Sequence, residues 1–329
     1  MIKNDGKSNS LLFLAGIPVI IKSQDYCCMI KKVSRIIPIA ILFIAFTHTA
    51  IAQTPSCTAS NFNKENILAW CIVPFDSKKR GPEERAAMLN GLGITKLAYD
   101  WRREHIPSFD AEADALKKHK IKLQSFWLLS DTNAARSTDV EAVFSFLKKR
   151  KIKTEIWYFF LEGEYFKQLS QEEKVAVASR TVQYIARRAD SIGCKVGLYN
   201  HEGWFGEPEN QVAIIEKLKM KNIGIIYNFN HAQFQVERFP EFFPKLIPYL
   251  LAVNLAGLKS GDKKIYPIGV GDSEEKMIQI VCTSGFKGPI GIINEDTDPD
   301  AEKGLQINMD GLKKILSSIG NAKAAATYR

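Results

Sequence analysis

Nothing in this chain is long and apolar enough for an easy membrane crossing. The best candidate, residues 36–46, is too short and is interrupted by Pro38. No G-x-G-x-x-G follows an apolar run, so the usual dinucleotide-binding turn is missing. Cysteine is sparse: six in 329 residues, four of them beyond residue 52, and none at C-x-x-C spacing, which argues against a zinc cluster. Charge of one sign is also lacking. The formal net charge is +9, and the first 52 residues hold six Lys/Arg against two Asp/Glu, leaving 39 against 34, or +5, for the rest. So small an excess over so long a stretch argues for solubility and against a nucleic-acid partner. Histidine is scarce too, with five in the chain and four beyond residue 52.

The N-terminus has the layout of a secretory signal. Lys31, Lys32 and Arg35 precede the apolar run 36–46, and Ala50-Ile51-Ala52 supplies small residues around a cleavage point. Cleavage after Ala52 predicts an exported protein, in a bacterium a periplasmic one, with no stable membrane association. An uncleaved N-terminal anchor is the alternative. Residues 1–28 read as an extension from an upstream start codon. No cysteine directly follows the cleavage point, so a lipoprotein anchor is not expected. Residues 53–65 read as a polar linker, 66–320 as the folded domain and 321–329 as a frayed tail. Cys71 in an apolar run and Cys282 in a helical stretch read as buried free thiols; no disulfide is expected, although an exported protein could oxidise a pair.

Beyond the linker, short apolar runs alternate with longer stretches of helical spacing. The runs are Leu68–Val73, Lys96–Tyr99, Lys122–Leu128, Lys153–Phe160, Lys195–Tyr199, Gly224–Asn228, Tyr249–Leu255 and Pro289–Ile293. The helical stretches lie near 82–92, 110–119, 138–150, 171–192, 208–221, 235–246, 273–285 and 300–319. Several open on start signals: Gly81-Pro82-Glu83-Glu84, the capping box Ser170-Gln171-Glu172-Glu173, and Asp298-Pro299-Asp300. Strands buried on both faces and separated by helices pair in parallel. Eight such units predict a single closed α/β barrel, (β/α)8, with a doubly wound open sheet as the alternative.

In such a barrel the active site lies where the strands end at their C-termini. The second strand delivers Asp100, Trp101 and Arg102 there, and the third Trp127. The fourth gives Glu162 and Glu164, the fifth Asn200, His201 and Trp204, the sixth Asn228, Asn230 and His231. The seventh gives Asn254 and Lys259, the eighth Asn294, Glu295 and Asp296. Two of the few histidines thus fall at the ends of neighbouring strands. Imidazoles beside carboxylates suit either a divalent metal (Mn, Mg, Zn or Co) or a metal-free hydrogen-bonding network. All five tryptophans lie in or just after the first five strands. Flat apolar faces among amides and acids suit a carbohydrate. Trp157, in mid-strand, reads as core; Trp101 and Trp204 are the better ligand candidates.

The segments "AWCIVPFDSKKRGPEERAAMLNGLGITKLAYDWR", "VGLYNHEGWFGEPENQ", "IIYNFNHAQFQVERFP" and "IYPIGVGD" resemble the sugar phosphate isomerase/epimerase-like branch of the xylose isomerase-like TIM barrels. The resemblance runs from about Asn66 to Ile319. It implies a metal held by Glu162, His201, His231 and Glu295, with Asn200 standing where an aspartate is often found. It also implies proton abstraction next to a carbonyl, with Glu162 and Glu295 as acid and base. Asp100, Trp101, Arg102, Trp127, Asn200, Trp204, Asn228, Asn254 and Lys259 are the expected substrate contacts. Three function classes follow: a sugar isomerase, epimerase or related lyase; a non-catalytic carbohydrate-binding barrel; and an apurinic endonuclease. The last would need a crowded multi-metal cluster that so few histidines do not supply.

Overall fold

The computed structural model describes residues 57–329; the signal and the extension before it lie outside the described residues. Eight parallel strands close into a barrel. They are β1 (Ile67–Trp70), β2 (Lys96–Tyr99), β3 (Lys122–Ser130), β4 (Glu155–Phe160), β5 (Lys195–Tyr199), β6 (Ile223–Asn228), β7 (Leu250–Leu255) and β10 (Ile290–Ile293). The gap in numbering is a small antiparallel hairpin, β8 (Gly257–Lys259) and β9 (Asp262–Tyr266), which the sequence reading did not anticipate. Between the strands run α1 (Pro82–Gly91), α2 (Phe109–Lys118), α3 (Thr138–Arg150), the short α4 (Glu164–Gln168) and α5 (Gln171–Ser191). α6 (Pro208–Leu218), α7 (Phe239–Leu246), α8 (Glu274–Thr283), α9 (Ala301–Ser318) and α10 (Ala322–Ala325) follow. No described helix is long and apolar enough to cross a membrane.

Local chemistry explains the element ends. The Ser170 hydroxyl accepts from the Glu173 amide, and the Glu173 carboxylate accepts back from the Ser170 amide at 2.9 Å, the capping box expected from the sequence. Asp300 caps α9 through the Glu302 amide. β1 stops three residues before the apolar run does. Cys71 sits in the left-handed backbone region at φ 54°, which breaks the extended chain there.

The barrel interior is aromatic. Trp70 packs on Trp157 at 5.0 Å and on Tyr199 at 5.8 Å, and Trp127 meets Tyr199 edge-on at 4.9 Å. Trp157 is fully buried, as a core residue should be. The seam between β1 and β10 runs in register from Ile67↔Ile290 to Trp70↔Ile293. It is latched by a buried ion network in which Arg80 holds Asp76 and Asp300, each at 2.8 Å.

Three expectations are corrected at the end of the barrel where the strands begin. The segment read as a linker is packed from Cys57 onward, with Cys57 and Phe62 buried. Cys57 and Cys282 form a disulfide, with Cα atoms 5.3 Å apart, so neither is a free thiol. Cysteine spacing alone carries no information on such a pairing. The tail read as frayed is anchored. Asn321 caps α10 and donates to the Ala59 carbonyl, the Thr327 hydroxyl accepts from the Lys64 amide, and Tyr328 donates to the Phe62 carbonyl at 2.7 Å. Cys71 and Cys194 are free and buried.

Candidate functional site

A cavity of about 530 Å³ opens at the C-terminal ends of the strands. His201, Glu202, Gly203 and Glu207 come to it from the loop after β5. The loop after β6 adds Asn230, His231, Gln233, Phe234 and Gln235; the loop after β10 adds Glu295 and Asp296. The unforeseen hairpin supplies Lys263 and Ile265.

The loop after β5 divides its side chains between structure and pocket. The Asn200 amide clasps the end of β6, donating to the Asn228 carbonyl at 3.1 Å and accepting from the Asn228 amide at 2.6 Å. Asn200 is fully buried and does not reach the cavity. His201 does. Gly203 holds φ +79°, and a Cβ there would lie 2.6 Å from the Glu162 carboxylate. Trp204 turns away, packing edge-on against Phe166 at 5.4 Å and donating its indole N–H to Gln171. Phe205 is buried and donates its amide N–H to Glu162 at 2.8 Å. Glu207 is paired with Arg238 at 2.9 Å, beside Pro208 at the first position of α6.

The two histidine rings face each other with centroids 4.1 Å apart and planes at 39°. Burial pushes both imidazoles down, His231 to about 3, where His201 adds to the effect. Both are therefore neutral near pH 7. Glu295 is half-buried on the same cavity. Burial raises its carboxyl, and Asp296 raises it further; the Cys71 thiol, hydrogen-bonded to it, and Arg102 pull the other way. Asn230 donates to its Oε2 at 3.4 Å.

Among the residues expected from the sequence, His201, His231 and Glu295 line one cavity. Glu162 is held by the Phe205 amide and lies outside that lining. Asp100 is buried behind the rim, its Oδ1 accepting from the Val73 amide and its Oδ2 without a partner among the described residues. Burial pushes its carboxyl up to about 6, with Arg102 opposing. The Arg102 guanidinium donates to the Asp100 and Trp101 carbonyls. Trp101 packs outward on Phe109 and donates to the Trp127 carbonyl, while Trp127 belongs to the interior aromatic cluster. Asn228 donates to the Tyr199 hydroxyl, and Asn254 is fully buried. The Lys259 ammonium sits 4.7 Å over the Tyr266 ring within the hairpin. None of these substrate candidates lines the cavity.

The expected four-residue metal set does not assemble. Among the described residues no three His, Cys, Asp or Glu side chains converge as metal ligands. The reasons are local: Glu162 accepts from the Phe205 amide, Asn200 holds the Asn228 backbone, and the two imidazoles pack against one another with their planes tilted. The residues present do not fit the metal.

The sequence reading did not place Glu202, Gly203, Glu207, Gln233, Phe234, Gln235, Lys263 and Ile265 in the site; three are charged and two are amides.

No protein-family model matches the chain, and no curated protein matches it. Solved structures do match, and they are xylose isomerase-like TIM barrels. An IolI protein with a bound zinc atom aligns at TM-score 0.61 and 14% identity, covering 77% of this chain and 98% of its own. A 3-keto-D-glucoside 4-epimerase, YcjR from E. coli, aligns at 0.57 and 15%, covering 77% and 100%. A xylose isomerase-like TIM barrel protein from Mycobacterium smegmatis in complex with magnesium aligns at 0.53 and 12%, covering 81% and 99%. At these identities the likeness establishes the fold alone, a closed (β/α)8 barrel.

Proposed function

We propose that this chain is an exported carbohydrate-active barrel, a sugar isomerase, epimerase or related lyase that moves a proton next to a carbonyl. The observation that carries the reading is Glu295: a half-buried carboxylate with a raised pKa, in one cavity with two neutral imidazoles. Glu295 takes the proton from the carbon beside the carbonyl. The electron pair moves to the carbonyl oxygen, where an imidazole N–H of His201 or His231 donates a hydrogen bond. Return of the proton to the former carbonyl carbon, with the hydroxyl proton of the first carbon passing to the carbonyl oxygen, isomerises; protonation of the first carbon by water on its opposite face, with Glu295 releasing its proton to solvent, epimerises. The sequence is redox-neutral and needs no co-reactant. Export is supported by the signal-like N-terminus and by the Cys57–Cys282 disulfide, a bond that persists in oxidising compartments.

A second reading, a barrel that binds saccharide without turning it over, is favoured by the commitment of Glu162 and Asn200 to backbone amides. Incubation of keto- and aldo-sugars with the protein in D2O separates the two. The enzyme reading predicts deuterium at the abstracted carbon, cut by at least about a hundredfold in Glu295→Gln, whose amide is a very poor base. Binding without exchange across the panel selects the second reading.

A further inference from the structure

Beyond the buried end of the cavity stands an exposed aromatic side chain on a rigid support. Phe234 is 66% exposed and lines the cavity. Its neighbours on either side are buried and anchored. Gln233 donates its side-chain amide to the Asn230 carbonyl, and its own carbonyl accepts from Gly261 at the hairpin tip at 2.9 Å. The Gln235 amide N–H reaches the Ala232 carbonyl at 2.8 Å, and its side-chain oxygen accepts from the Tyr227 hydroxyl at 2.8 Å. The phenyl ring is therefore presented by a segment tied to β6, to the turn after it and to the hairpin.

The same anchoring leaves polar ends over. Gln233 uses its Nε2, Gln235 its Oε1 and Asn230 its Nδ2. The other end of each side-chain amide, Gln233 Oε1, Gln235 Nε2 and Asn230 Oδ1, has no protein partner among the described residues, and all three residues line the cavity. Two acceptors and one donor flank a flat apolar face. A pyranose ring has that pattern in reverse, with C–H faces above and below and hydroxyls at its edge.

We propose that the cavity takes a saccharide of at least two rings, the reacting ring beside Glu295 and the histidines and the second ring on the face of Phe234. This rests on the reading of the cavity as a sugar site. The volume, about 530 Å³, is more than a single pyranose fills. The second ring is held by stacking on Phe234, by a hydroxyl that donates to Gln233 Oε1 and by a hydroxyl that accepts from Gln235 Nε2.

Calorimetric titration with matched pairs tests it: glucose with cellobiose, galactose with lactose, mannose with mannobiose. At least one disaccharide binds about tenfold more tightly than its monosaccharide, the scale expected of an aromatic contact. Phe234→Ala removes that ratio, while Phe234→Trp keeps it; circular dichroism of each variant confirms the fold. Equal affinities within every pair, or a ratio that survives Phe234→Ala, overturns the two-ring proposal and leaves the sugar site standing. Absence of binding by any saccharide overturns both.

Discussion

The two ends of the barrel are built on opposite plans. At the end where strands begin, side chains reach inward to protein partners. The Cys57–Cys282 bond ties the first described residues to α8, and Asn321 and the Tyr328 hydroxyl tie them to the C-terminal segment around α10. At the end where strands finish, several polar groups are only half used. Three side-chain amides keep one end free on the cavity, and a half-buried carboxylate carries a raised pKa. Saturating the polar groups closes and stiffens a structure; leaving them half-saturated in a fixed geometry readies it for a ligand. The contrast puts half-used polar groups at the open end and a covalent tie at the closed one.

Glu162 interrupts that division, since it lies at the open end but acts as if it belonged to the closed one. It follows β4 as Glu295 follows β10, and nothing in the composition of their flanking sequences separates them. What separates them is the amide each meets. Glu162 accepts from Phe205, in a turn where Gly203 leaves room for it, whereas Glu295 is approached by the Cys71 thiol and the tip of Asn230.

Three measurements sharpen or break the comparison. The largest expected effect is at the closed end. The double variant Cys57→Ser/Cys282→Ser loses about 2–5 kcal/mol of stability in chemical denaturation, with saccharide binding by the folded protein unchanged. Loss of binding in step with stability would mean that the two ends are not independent. Next comes Glu162→Ala, which leaves the Phe205 amide without its acceptor. It costs about 1–3 kcal/mol, while deuterium exchange per folded molecule falls less than tenfold; a loss as deep as that of Glu295→Gln would return Glu162 to the chemistry. The smallest effect is an absence of change. Burial and the neighbouring His201 hold His231 near 3, so its ring resonances should stay fixed in an NMR titration from pH 8 to about 5. The stability linked to this depressed pKa is present above the ordinary histidine value of about 6.5 and is lost as the pH falls toward 3. A midpoint near 6.5 would show the imidazole pair to be open to water.

Much of the fold could be read because apolar periodicity reports burial, and burial decides a barrel. The runs ending at Tyr99, Tyr199, Asn228, Leu255 and Ile293 end where β2, β5, β6, β7 and β10 end. The hairpin β8–β9 was hidden because its strands are short and its sequence, "KSGDKK", is polar. The site was legible where chemistry is scarce: two of four histidines and one distinctive carboxylate meet on one cavity. It was illegible where common residues act by placement. Gln233 and Gln235 carry no signal until the Tyr227 hydroxyl and the Asn230 carbonyl fix one end of each side chain. Trp101 and Trp204 lie outside the cavity lining and pack on Phe109 and Phe166, a choice that an indole placed just after a strand does not announce in the sequence.

The bond between Cys57 and Cys282 spans 225 residues of sequence. Its second partner lies on α8, after seven of the eight barrel strands. A ribosome must therefore make nearly the whole domain before the two sulfurs can meet. The bond cannot guide the early strands to their neighbours; it can form only after they are made, and it favours chains in which both barrel edges have come together. In that sense it works as a check on finished molecules, sealing those that closed correctly and leaving the others open to proteases.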